Sequence, residues 1–120
     1  MKIRDFFKYW FPVIAYCALI FIFSSMPKPP EVIPLFPHAD KVLHFIEYTI
    51  LGFLVIRALA FSNKDQKALN LRVMAITLAV LYALSDEFHQ SFVPNRHADI
   101  LDLISDSLGA FIGQMFLKFK

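Results

Sequence analysis

Trp10-Phe11-Pro12-Val13-Ile14-Ala15-Tyr16-Cys17-Ala18-Leu19-Ile20-Phe21-Ile22-Phe23 runs through fourteen residues without a charge. Phe6 and Phe7 extend the run backward past Lys8, whose long stem can carry its ammonium to a membrane surface. A bilayer-spanning helix needs roughly 20 mostly apolar residues, so residues 6–23 read as a first span. Pro12 falls in its first turns, where a missing amide donor does least damage. Beyond it, five prolines between Ser24 and Pro37 (Pro27, Pro29, Pro30, Pro34 and Pro37) read as an irregular loop.

The pattern repeats along the chain. Residues 42–61 form a second apolar stretch, with His44 and Glu47 near its start, Arg57 near its end and Asp40 as its expected N-cap. A polar turn over 62–70 precedes a third stretch, 71–90, whose last turns hold Asp86, Glu87, His89 and Gln90. After Pro94-Asn95 a fourth, 100–119, begins with Asp102 and Asp106. Gly109 and Gly113, four residues apart, mark a close packing face on it. The expected fold is all-α: one polytopic transmembrane domain over 1–120, a bundle of four spans.

Composition agrees. Of 120 residues, 58% are hydrophobic and 18% charged, against about 25% charged in soluble domains. The net charge of +2 comes without a basic block or stripe, which argues against nucleic acid as a partner. Cys17 is the only cysteine, excluding an intramolecular disulfide and a thiolate zinc cluster. A competing reading makes the first span a cleaved signal peptide, but Met26-Pro27 after Ser24-Ser25 is a poor cleavage site.

Orientation follows from the basic residues. Lys2, Arg4, Lys8, Arg57, Lys64, Lys67, Arg72, Lys118 and Lys120 flank one side, whereas Lys28, Lys41 and Arg96 flank the other. The positive-inside rule then puts both termini in the cytoplasm of a multi-pass cell-membrane protein, and the proline-rich loop and the 91–99 loop outside.

In that topology the ionisable residues inside the spans gather in one outer layer. His44 and Glu47 lie within roughly 10 Å of the outer end of span two at about 1.5 Å per residue. Asp86, Glu87, His89 and Gln90 arrive at the top of span three, and Asp99, Asp102 and Asp106 start span four. A rotation of about 100° per residue puts Asp40, His44 and Glu47 on one face, and Asp99, Asp102 and Asp106 on another. Ionisable groups in hydrocarbon are costly and turn toward partners or a wet cavity. A shared, outward-opening pocket of acids and histidines is expected.

Three chemistries fit it. His44-x-x-Glu47 and Asp86-x-x-His89 resemble helical metal-ligand pairs, so His44, Glu47, Asp86, His89 and Asp102 are candidate ligands for a divalent metal, the one cofactor these residues point to. Alternatively, Asp99, Asp102 and Asp106 could hold a hard cation against a lipid phosphate, with Arg96 pairing to the phosphate. The third reading is an ion-pair network, with Arg96 and Lys41, that fixes helix register. Ser24 and Ser25 lie near the same level, but as nucleophiles they lack an identified base.

The string Asp86-Glu87-Phe88-His89-Gln90-Ser91-Phe92-Val93-Pro94-Asn95-Arg96 resembles the VanZ-like family of small membrane proteins. The resemblance takes in Ser24-Ser25, Asp40-Lys41-x-x-His44-x-x-x-Tyr48 with Leu51-Gly52, and Asp99 to Gly109. It implies four spans and lowered susceptibility to teicoplanin-type lipoglycopeptide antibiotics. Many members carry Asn where this chain has Asp106, implying that a charge there is dispensable. The function expected is engagement of a cell-envelope lipid headgroup, or a related polar ligand, at the outer leaflet. A metal-dependent phosphotransferase or hydrolase acting on a lipid-linked substrate, or a structural partner of another membrane protein, stays open beside it.

Overall fold

The computed structural model describes residues 2–26, 39–94 and 99–119, apart from the side chains of Ala39 and Asp40. Four helices follow in order: α1 (Ile3–Ser25), α2 (Ala39–Ser62), α3 (Ala68–Gln90) and α4 (Ile100–Gln114). No strand occurs among the described residues. Three helices, α1, α2 and α3, are long and apolar enough to cross a membrane. At about 1.5 Å per residue each reaches about 35 Å, enough for a hydrocarbon core of about 30 Å.

Helical period explains what each element buries. On α1, Val13, Ile20 and Ser24 line one stripe. On α3 the buried positions Leu71, Ala75, Ala79, Ala83, Asp86, Glu87 and Gln90 recur every three or four residues, so a small-residue stripe leads into the acidic layer. Phe7, Phe21, Phe23, Leu81, Phe111 and other large apolar side chains are exposed on the opposite faces. Large apolar side chains outside, with buried acids turned inward at one end of the core, are the pattern of a protein whose solvent is lipid.

The α2–α4 pair is the most extensive packing in the molecule, with α1 resting on α2 and, more lightly, on α3. The chain has three glycines, and all three lie in the α2–α4 seam. A Cβ on Gly52 would strike the Ala110 backbone, one on Gly109 the Phe45 carbonyl, and one on Gly113 the Thr49 carbonyl. The close face read from Gly109 and Gly113 is therefore real, and Gly52 answers it from α2.

Several boundaries move. Asp40 lies inside the first turn of α2, which begins at Ala39, rather than at its cap. Because α1 begins at Ile3, Pro12 is interior. Proline has no N–H for the carbonyl four residues back; that carbonyl belongs to Lys8, and Arg57 Nη2 donates to it at 3.1 Å. The fourth helix stops at Gln114, short of the expected 119. Its last carbonyl is taken by α3: Arg72 Nη1 donates to Gln114 O and to the Gln114 side chain at Oε1, each at 2.7 Å, and Nη2 to Leu117 O, beyond the helix, at 2.9 Å.

Candidate polar site

The antiparallel order brings the end of α1, the start of α2, the end of α3 and the start of α4 to one end of the bundle. Three helices deliver the charged side chains there. From α2, Lys41 Nζ lies 2.8 Å from Asp99 Oδ2 and 2.7 Å from Asp102 Oδ1. One turn on, His44 Nδ1 lies 2.9 Å from Asp106 Oδ1, and its Nε2 3.9 Å from Asp102 Oδ2. Asp99 also caps α4, accepting from Leu101 N at 2.9 Å. Its own backbone N–H donates to Glu87 Oε2 of α3 at 3.1 Å.

Burial raises the stakes. Asp106 is 0% exposed, Asp86 4%, Glu87 7% and Asp102 7%. Asp86 has an interaction partner of its own. Glu87 Oε1, Asp106 Oδ2 and the Tyr48 hydroxyl, by contrast, have no hydrogen-bond partner among the described residues. Each such orphan costs about 1–3 kcal/mol unless something outside the chain answers it. Tyr48 is 0% exposed and follows His44 by one turn on α2.

The remaining candidates sort into separate places. Ser25 Oγ and His89 Nε2 are 2.8 Å apart, joining α1 to α3, and the His89 ring stacks on Phe21. The same Ser25 hydroxyl also meets Phe21 O at 2.8 Å. With the hydroxyl donating to Phe21 O, its oxygen accepts from His89 when Nε2 carries the proton. Ser24 and Gln90 are buried close by in sequence. Glu47 lines an apolar groove of about 320 Å³ between α1 and α2, with Tyr16, Leu19, Ile20, Phe23, Leu43 and Ile46. Arg96 and the Asp40 side chain lie outside the described residues.

Of the residues expected as ligands of a transition metal, only His44, and of those expected to hold a hard cation only Asp106, belongs to the group whose ligand atoms converge among the described residues. That group is His44, Glu87 and Asp106, one atom from each lying within 4.8 Å of the others. Glu87 and Asp106 were legible as pocket acids from their place in the spans. Asp106, which the family resemblance marks as dispensable in charge, is the most buried acid of the cluster. Asparagine there would still offer an acceptor to His44 Nδ1.

Fold and cluster together define an all-helical membrane protein with a buried polar site at one end of its bundle. The sequence pattern of the VanZ/LLP1 family matches residues 3–120. The chain belongs to this VanZ-like family. Comparison with curated proteins and with solved structures finds no match.

Proposed function

We propose that this chain is a multi-pass cell-membrane protein that engages a cell-envelope lipid headgroup, or a polar ligand related to it, through the Lys41, His44, Glu87, Asp99, Asp102 and Asp106 cluster. One observation carries the reading: at the end of a bundle sheathed in apolar side chains, buried acceptors on Glu87 and Asp106 stand without donors among the described residues. A headgroup bearing hydroxyl or amine donors supplies what they lack. With nine of twelve Lys and Arg residues on the opposite side, both termini are cytoplasmic and the cluster opens to the outer leaflet. Lowered susceptibility to teicoplanin-type lipoglycopeptides then follows from an altered envelope surface.

The experiment is native mass spectrometry of protein extracted with its surrounding lipid. Wild type should carry a defined lipid that Asp106→Ala loses, and cells expressing that variant should regain teicoplanin susceptibility. Lipid retention by Asp106→Ala equal to wild type would remove the cluster from headgroup binding. Orientation is read separately with alkaline phosphatase fusions, inactive after Lys120 and active near Pro30. The reverse pattern would move the site to the cytoplasmic face.

A further inference from the structure

We propose that His44, Glu87 and Asp106 bind one divalent transition-metal ion. The three side chains come from α2, α3 and α4, and one ligand atom of each lies within 4.8 Å of the other two. A modest contraction brings such a set onto an ion held at about 2.0–2.2 Å from each donor. One imidazole nitrogen with two carboxylate oxygens is a borderline-to-hard donor set, suited to zinc or manganese rather than to a soft ion. Three protein ligands leave coordination positions for water or an incoming ligand.

The unsatisfied atoms point the same way independently of the spacing. Glu87 Oε1 and Asp106 Oδ2 are buried without hydrogen-bond partners among the described residues, on side chains 7% and 0% exposed. Asp106 has His44 as a partner through its other oxygen, and Glu87 accepts from the Asp99 backbone through its other oxygen, so each carboxylate is half answered within the chain, and buried carboxylates need to be paired or coordinated. A divalent cation answers both at once. Tyr48, wholly buried on α2 one turn beyond His44, has a hydroxyl without a hydrogen-bond partner among the described residues, a donor left over for an ion-bound oxygen.

The surroundings supply an orienting group. His44 presents Nδ1 toward Asp106, while Nε2 faces Asp102 at 3.9 Å. Asp102 is itself held by Lys41 at 2.7 Å. At 3.9 Å the Asp102 carboxylate acts on Nε2 by charge proximity and not by a hydrogen bond, and it favours the proton on Nε2 that leaves Nδ1 free to ligate. Asp102 is thus a positioning residue for the ion and not its ligand.

The site goes beyond the headgroup reading and does not depend on it, because metal content is measured on delipidated protein in detergent. Full-length protein stripped with chelator is titrated with Zn²⁺ and with Mn²⁺ by calorimetry, and with Co²⁺ by visible absorption. Wild type should bind one equivalent of at least one of the first two, and the cobalt form should show ligand-field bands. Glu87→Gln, nearly isosteric, should weaken binding by about 100-fold or more, and Asp102→Asn by about 10-fold. Arg57→Met, at the far end of the bundle, should leave it unchanged. Circular dichroism shows which variants fold; should His44→Ala fail, Glu87→Gln and Asp106→Asn carry the test. Absence of saturable binding in wild type, or binding undiminished in Glu87→Gln, overturns the proposal. Lipid that co-purifies with a metal-free Glu87→Gln would leave headgroup binding standing without the ion as its anchor.

Discussion

Where α2 ends and α3 begins, positive charge is finished off by backbone. Arg57 lands on the Lys8 carbonyl that Pro12 leaves without a donor, and Arg72 on the last carbonyl of α4 and on Leu117 O beyond it. Rings complete the fit, Tyr9 under Arg57 and Phe119 under Arg72. At the opposite end carboxylates outnumber the described cations, and acceptors on Glu87 and Asp106 have no donor among the described residues. The first end is closed by bonds between described residues; at the second, buried acceptors are left open among them. Natural proteins break local rules of satisfaction mainly where function requires it. On the function proposed above, the acidic end is the working end and the basic end its scaffold.

The largest effect should come from the scaffold. Arg72→Met removes three charge-assisted hydrogen bonds from the α4 terminus and should cost about 3 kcal/mol, measured by denaturant titration in detergent micelles. Its folded fraction should still bind ligand as wild type does. Equal loss of binding would mean that the two ends are not separable.

A smaller effect tests the working end. In a double-mutant cycle on Lys41→Met and Asp102→Asn, the coupling energy should be about 1–2 kcal/mol, since the pair is largely shielded from solvent and shares Asp99. Additive behaviour would show that Lys41 does not hold Asp102 in place. The smallest change is expected from Arg57→Met, about 1 kcal/mol, because its bond to Lys8 is exposed. A loss of several kcal/mol would make that contact a far more important part of the scaffold than its exposure allows.

Much of this was legible in the sequence, and the remainder was hidden for definite reasons. Three apolar runs placed α1, α2 and α3 to within three residues at each end. Helical phase put Asp102 and Asp106 on one face of α4, and both are buried. Phase alone does not say which of two adjacent acids turns inward, since neighbours on a helix point about 100° apart. Asp86 and Glu87 are both buried, and the converging metal-ligand group takes Glu87. Nor does local pattern show that α4 stops at Gln114, whose carbonyl is taken by Arg72 of another helix, 42 residues away. The roles of Arg57 and Arg72 had no signal beyond their charge, although Pro12 did announce one carbonyl in need of a donor.

The glycine seam bears on how anything could enter the site. With Gly52, Gly109 and Gly113 pressed backbone to backbone, α2 and α4 leave no slack for sliding or parting, and close-packed contacts of this kind do not deform gradually. Lys41, His44, Asp102 and Asp106 all ride on that welded pair. Glu87 arrives on α3, whose inner face is surfaced by Ala75, Ala79 and Ala83 and which Arg72 pins to the far end of α4. Any widening of the cluster therefore has to come from the Glu87 side, at the end of α3 away from that pin, and not from the seam between α2 and α4.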